Sequence, residues 1–368
     1  MNWYSLQNPD TADSPSLLIY KDRAVANVQK MIAIAGGVER LYVHVKTNKI
    51  PEVVKLLLAA GISKFKCATI AEAEMVCMTG GKHLVIAHQL VSPKIERLIN
   101  LRKKYPDVFI ASLIDDLETA QKTNAIFEKS NLKAEVFIDV NNGMNRSGHE
   151  LNSSILNFYK YISKLSNTNL HGLHAYDGHL RDSDFEERKT KINDGFQSVE
   201  SLAVAIEASG LPKPKIIAGG TPAFTSHALR EAVFCSPGTC ILWDWGYGDA
   251  LTEQPFEYAA LVLTRVISKP TEGIISIDLG HKAIASENPI DKRVRFLNLT
   301  DYELLSQSEE HGVLKVSNWE SIKVGDVLYG VPYHVCPTVN LYEEAYCIEN
   351  GIITDTWQVL ARRRRIEV

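Results

Sequence analysis

Cysteine is scarce in this chain. Its 368 residues hold six, at positions 67, 77, 235, 240, 336 and 347, and no two are spaced as C-x-x-C. That pattern excludes a disulfide framework and points to a reducing, cytoplasmic setting. An excess of one charge is also missing: 40 Lys and Arg stand against 44 Asp and Glu, a net charge of −4. Without a clustered basic surface to neutralise phosphates, nucleic acid is not an expected partner. The run Arg362 to Arg365 is the one charge block, and it reads as a solvated segment. No apolar run nears the roughly 20 residues that span a bilayer, so no membrane partner is expected. The opening stretch MNWYSLQNPDTADSP lacks the basic and apolar regions of a signal peptide. Internal repeats and low-complexity stretches are absent as well. The 45% hydrophobic and 23% charged residues exclude disorder, collagen and coiled coil as whole-chain descriptions. At roughly 150 residues per domain, the length suggests about two domains.

What is present, from residue 41 to about 245, is an alternation of short apolar runs with helix-like segments. LYVHVK (41–46) reads as a strand, and PEVVKLLLAAG after it as a helix with Pro51 at its start and Gly61 at its end. KFKCAT (64–69), LVIAH (84–88), VFIASLI (108–114), AEVFIDV (134–140), LHGLHAY (170–176), KIIAGG (215–220) and VFCSPGTCIL (233–242) continue the series. Asp116 is placed to cap the helix that follows 108–114. Parallel strands need long crossovers, so this alternation predicts an α/β fold, and eight units fit a closed (β/α)8 barrel better than an open sheet. After residue 254 the texture changes to short β-type runs split by Gly, Pro and Asn turns, an antiparallel β-domain. The expected division is 1–20 as an N-terminal segment, 21–253 as the barrel and 254–368 as the β-domain. SLLIY (16–20) could belong to either part.

Four segments carry chemistry. Lys46 ends the first barrel strand, where active sites of such barrels sit, and His44 would share its face by the two-residue alternation of strands. A lysine directed into a barrel mouth loses solvent, its pKa falls, and its amine can form a Schiff base; a strand-end lysine can also be a plain surface residue. Gly219, Gly220 and Thr221 present bare backbone N–H groups after the seventh strand, which suits a phosphate, though most such turns are only turns. A lysine at strand one with a phosphate turn at strand seven fits pyridoxal phosphate. Asp139 and Arg146 follow the fifth strand, where Arg146 could bond the cofactor's phenolic oxygen or a rim carboxylate. His174, Tyr176, Asp177 and His179 stand at the sixth strand end. His334 and Cys336, two apart in YHVCPTVNLY, would face the same way on an extended segment, and imidazole and thiolate are both zinc ligands.

Taken together, HVKTNK, KCATIAEAE, FIDVNNGMNRSG, GLHAYDGH, GGTPAF, CSPGT, DLGHKAIASENP and HVCPTVNLY resemble the fold-type III pyridoxal-phosphate enzymes. The resemblance is to the branch with an alanine racemase N-terminal-type barrel that contains D-threonine aldolase and metal-dependent D-serine dehydratase. It runs from about residue 14 to 360. It implies the cofactor on Lys46 as a Schiff base, with His44 nearby. It implies Arg146 at the phenolic oxygen, Tyr176 beside the ring, and Gly219, Gly220 and Thr221 around the phosphate. It also implies a divalent metal at His334 and Cys336, and a homodimer. Asn48 departs from the HVKTHK of many relatives. The Cys336 ligand matches some D-serine dehydratases, whereas some D-threonine aldolases carry aspartate. A thiolate favours zinc over manganese or magnesium.

The implied activity is cleavage of a D-3-hydroxyamino acid, D-threonine giving glycine and acetaldehyde, with His179 or a metal-bound water as base. A zinc-dependent D-serine dehydratase, forming pyruvate and ammonia, uses the same residues. An amino acid racemase would leave the metal idle. A non-catalytic protein that maintains cofactor supply would have no need of the β-domain.

Overall fold

The punctuation read from the sequence is what the chain uses. The structure, a computed structural model, describes residues 2–368. Pro51 opens the helix Pro51–Ala59, and Gly61 follows it at φ +88°, where a side chain would be strained. Thr69 caps the helix Ile70–Thr79 by accepting from the Glu72 N–H. Asp116 caps Leu117–Lys129 by accepting from the Thr119 N–H at 2.8 Å.

Contacts divide the chain into two compact units. In chain order the first strand is β1 (Ser16–Tyr20), which belongs to the antiparallel unit described below. The barrel unit comprises Met31–Lys46, Val53–Gly238 and Arg363–Val368. It contains β2 (Val43–His44), β3 (Lys64–Cys67), β4 (His83–Gln89), β5 (Phe109–Ile114), β6 (Ala134–Asn141), the two-residue β7 (His149–Glu150), β8 (Thr168–Ala175), β9 (Lys215–Ala218) and β10 (Val233–Cys235). Eight of these pair in parallel in the order β2-β3-β4-β5-β6-β8-β9-β10. The two ends meet, because Leu41 bridges Cys235 and the Tyr42 N–H donates to the Cys235 carbonyl at 2.8 Å. The expected (β/α)8 barrel is therefore formed. Tyr42, Val85, Ala111, Leu113, Phe137 and Ile217 fill its interior, which is a packed core and not a pore.

Two strands stop earlier than the sequence suggests. The run at 41–46 is a continuous strand only at Val43–His44, beyond the isolated bridge at Leu41, and then tightens into a 3-10 turn at Val45–Thr47. The run at 233–242 stops at Cys235, since Pro237 has no N–H to continue a ladder. Within the barrel, β8 gains one residue on β6: Val136 faces Leu170, but Phe137 faces Gly172. His171 is the extra residue of this bulge. Gly172 has φ +154°, and a Cβ there would lie 1.9 Å from the Lys215 carbonyl oxygen on β9, so no other residue fits.

The other unit comprises the chain up to Lys30, Thr47–Glu52 and Thr239–Arg362. Its strands are β1, β11 (Ala260–Thr271), β12 (Ile274–Ile277), β13 (Val294–Phe296), β14 (Tyr302–Gln307), β15 (Gly312–Val316), β16 (Val327–Pro332), β17 (Glu344–Glu349) and β18 (Ile352–Gln358). They run in the order β14-β15-β12-β11-β1-β17-β18, with β16 joining β11 to β13. β1 pairs antiparallel with β11 and parallel with β17, so SLLIY lies in this sheet. The unit begins before the texture change at 254, because residues 239–250 form short helical turns and no barrel strand. No helix among the described residues is long and apolar enough to cross a membrane.

Candidate active site

The C-terminal end of the barrel gathers most of the residues singled out above. Lys46 sits on the 3-10 turn after β2 and is half-buried. The strand alternation expected to align it with His44 does not reach it. Instead the Lys46 N–H donates to His44 Nδ1 at 3.3 Å. His44 is buried, and burial with the charges of Lys46 and Lys66 holds its pKa well below the usual imidazole range. The Lys46 Nζ lies 5.9 Å from the ring centre of Tyr176, and the Arg146 guanidinium lies over the same ring at 4.6 Å.

The desolvated lysine is a different one. Lys66, inside β3, is only 2% exposed. Its Nζ is 3.4 Å from His174 Nε2 and 3.4 Å from the Gly219 carbonyl oxygen, and 5.5 Å from the Tyr176 ring centre. Burial, then the charge of Lys46, pulls its pKa down to about 7. Sequence reading missed this residue. The signal was the parity of KFKC, which separates two lysines from Phe65 and Cys67. The lysine face reads as solvent-facing, yet it points inward: Lys64 Nζ lies 4.6 Å from the Phe234 ring at the barrel's other end.

His174 is held from behind. Its Nδ1 lies 2.7 Å from Asp139 Oδ1, and Asp139 Oδ2 accepts from the Ser147 hydroxyl at 2.9 Å. Burial, then the charge of Lys66, lowers the His174 pKa. A neutral His174 donates from Nδ1 to Asp139 and offers Nε2 to Lys66. A second buried pair follows, His227 Nε2 with Asp177 Oδ2 at 2.6 Å.

The turn after β9 fits a phosphate. Gly219 has φ +74°, and a Cβ there would lie 2.7 Å from His227 Cδ2; one on Gly220 would lie 2.8 Å from Tyr176 Cε2. Only bare backbone can occupy this cradle. The Gly238 N–H donates to the Thr221 hydroxyl at 3.3 Å, which ties the loop after β10 to this turn. The buried Ser236 hydroxyl in that loop has no hydrogen-bond partner. These are the loops that commonly bind phosphate in such barrels. The helix that follows, Phe224–Ala228, is only five residues long, so the cradle rests on the turn itself. His179 lies apart: it is exposed, with Nε2 3.4 Å from the point where a Gly143 Cβ would stand.

His334 and Cys336 belong to the antiparallel unit. The segment is not extended there. β16 ends at Pro332, and His334 stands at the N-terminal boundary of the short helix Val335–Val339 without a side-chain bond to it. The helix start still brings the two together, since the Cys336 side chain bonds to His334. His334 Nδ1 lies 2.6 Å from Glu287 Oε1, while Cys336 Sγ is 3.3 Å from the Thr47 hydroxyl and 3.5 Å from that of Thr239. Burial lowers the His334 pKa, but Cys336, Asp244 and Glu287 outweigh it and push it up to about 9. Among the described residues no cluster of three or more His, Cys, Asp or Glu stands ready for a metal. The donor pair remains of the right chemistry, with Nε2 free of the Glu287 bond and a thiol beside it.

A barrel with an amine, a phosphate turn and buried His–Asp pairs at one end defines a class: enzymes that hold a phosphorylated carbonyl cofactor. The comparisons place the chain within it. The alanine racemase N-terminal domain model matches residues 19–244, more than half of the chain, and the putative serine dehydratase domain model matches residues 259–348. The chain belongs to the alanine racemase N-terminal domain family of pyridoxal-phosphate-dependent enzymes. It is 27% identical to the 3-hydroxy-D-aspartate aldolase of Paracoccus denitrificans (strain Pd 1222), covering 95% of this chain and 92% of that one. It is 26% identical to the D-threonine aldolase of an Arthrobacter species, covering 95% and 93%. The crystal structure of D-threonine aldolase from Filomicrobium marinum has the same fold, with a TM-score of 0.86 at 24% identity over 95% of this chain and 96% of that one.

Proposed function

We propose that the chain is a pyridoxal-phosphate- and metal-dependent aldolase of D-3-hydroxyamino acids, cleaving D-threonine to glycine and acetaldehyde. One observation carries the cofactor reading. The Gly219–Gly220 turn is closed to any side chain and packs on Tyr176, the ring that Lys46 and Arg146 also face. When bound, pyridoxal phosphate supplies an electron sink for a carbanion. Lys46 would anchor it covalently. The N–H groups of Gly220 and Thr221, with the unpartnered Ser236 hydroxyl, would hold the phosphate, while the Gly219 N–H donates to the Ala175 carbonyl at 2.9 Å and fixes the turn. Arg146 and Tyr176 would orient the ring, and His44 fixes the Lys46 backbone.

His334 Nε2 and Cys336 Sγ would hold a divalent metal, zinc before manganese because of the thiol. A metal there would act as a Lewis acid on a substrate hydroxyl. Glu287 fixes the His334 ring by holding Nδ1. His179, exposed and unbonded, would take the hydroxyl proton. The aldolase names of two relatives support this reading, and a homodimer is proposed with it. Cys336 favours a second reading, a zinc-dependent D-serine dehydratase. The 23% identical D-threo-3-hydroxyaspartate dehydratase of Delftia sp. (strain HT23), matched over 95% of this chain, is in keeping with it.

The test is purified protein with pyridoxal phosphate and zinc or manganese, offered D-threonine and D-serine. Acetaldehyde with glycine is the expected outcome. Pyruvate with ammonia would replace the first reading by the second. A change in optical rotation alone would sink both. His334→Ala should remove metal and lyase activity while leaving cofactor attachment intact.

A further inference from the structure

Lys66 is a buried amine for which the proposed reaction has no use. Burying a lysine is costly unless its donors are answered. Its Nζ meets two acceptors, His174 Nε2 and the Gly219 carbonyl oxygen, each at 3.4 Å. Lys66 stands on β3 and His174 on β8, four strands apart in the barrel order, so the side chain crosses the barrel interior. Its far end is held in turn. His174 Nδ1 is committed to Asp139, which accepts from the Ser147 hydroxyl. Lys66, His174 and Asp139 are 2%, 3% and 4% exposed, and a polar chain so enclosed stiffens whatever it joins.

At the turn, Lys66 holds a single peptide unit. The Gly219 carbonyl and the Gly220 N–H belong to the same planar trans peptide, so they point in opposite directions. A carbonyl held toward Lys66 sends the Gly220 N–H away from it. Glycine flanks this peptide on both sides, and no Cβ opposes its turning over. A half-turn would carry Gly220 from φ −144° to about +36°, a value glycine accepts readily. The Gly219 N–H does not prevent this, because it belongs to the preceding peptide and is bonded to the Ala175 carbonyl. Lys66 needs only an N–H to hold the carbonyl, and an amine has one in either charge state.

We propose that Lys66 is a positioning residue: it locks the Gly219–Gly220 peptide so that the Gly220 N–H faces the phosphate of the cofactor. Without the lock the peptide can present its carbonyl oxygen instead, which repels a phosphate. The proposal rests on this turn being the phosphate site of the proposed function.

The experiment compares the binding of pyridoxal phosphate with that of pyridoxal, which has no phosphate, to the full chain, read by absorbance of the attached ligand. Wild type should prefer pyridoxal phosphate. Lys66→Met is similar in length but has no donor. It should cut that preference about tenfold, the scale of one donor to a charged group, and leave pyridoxal binding unchanged. A merely structural Lys66 would weaken both ligands alike, and that result overturns the proposal, as does a wild-type preference in the variant. No preference in wild type would instead overturn the turn as a phosphate site. A crystal structure of Lys66→Met should show the Gly219–Gly220 peptide turned over or in both orientations; a single wild-type orientation refutes the lock. Lys66→Gln serves where the methionine variant does not fold. Its shorter side chain cannot span both acceptors, so it should lose part of the preference, and a full wild-type preference in it also refutes the lock. If neither variant folds, Lys66 is a determinant of the whole fold and the proposal falls.

Discussion

β6 and β8 cross the barrel together and carry two histidine–carboxylate pairs, one near each end. At the N-terminal end His171 Nε2 meets Glu135 Oε2 at 2.5 Å; at the C-terminal end His174 Nδ1 meets Asp139 Oδ1 at 2.7 Å. The bonds are alike and the surroundings are not. His171 packs against Phe109 and Phe137 with a quarter of its side chain exposed, and Asn169 also bonds Glu135. Burial pulls the Glu135 carboxyl up, but His171 and Asn169 hold it below its ordinary value. The His174 pair is almost wholly enclosed and has Lys66 on its far side. In the first pair both Glu135 oxygens are bonded, one by Asn169 and one by His171. The second passes its hydrogen bonding on to an amine that can still accept a proton. The two ends of the barrel thus differ in what adjoins each pair, and not in the pair.

Removing Asp139 should break this contrast most severely. Asp139→Ala leaves His174 Nδ1 and the Ser147 hydroxyl without their partner, at a cost of about 2–3 kcal/mol in urea unfolding, and should abolish cofactor attachment at neutral pH. An unfolding midpoint equal to wild type would show the enclosed pair to be no more demanding than the open one. Lys66→Met should act in the opposite sense on stability. With a folded pKa of about 7 against 10.5 unfolded, Lys66 binds fewer protons folded than unfolded between those values, so wild-type stability rises with pH across that window. Its burial cost is therefore fullest below about pH 7. The methionine variant should be more stable there by about 1–2 kcal/mol, the advantage shrinking as pH rises. A variant less stable than wild type at every pH would make Lys66 a structural anchor. The smallest effect belongs to Glu135→Gln, about 0.5 kcal/mol at pH 7. Because the folded Glu135 pKa is depressed, its contribution is present above the unfolded value and lost as pH falls through the folded one. Wild type and variant should converge in acid; a gap that widens there would reverse the sign.

Much of this was legible in the sequence. The barrel was, because Pro51, Gly61 and Asp116 punctuate the helices and the strands between them are apolar. The tight turn at Gly219–Gly220 was, because two glycines follow an apolar strand there; its phosphate role belongs to the proposed function. Lys66 was not, since parity alone cannot say that the charged face of KFKC turns inward. The His334–Cys336 pairing was foreseen by a strand argument that does not apply; a helix start joins them instead. Lys46 was placed on a strand that ends two residues before it, because the closing contacts with Cys235 and Pro237 stop at His44. Long-range closure is not written in local periodicity.

The extra residue of β8 at His171 has a practical result for aligning this chain with relatives about a quarter identical to it. Side chains alternate along a strand, so a gap misplaced by one position near Gly172 would transfer the role of His174 to Leu173 or Ala175. In this strand homology is carried by length as much as by letters. A relative lacking the inserted residue would keep a similar spelling and lose the inward imidazole.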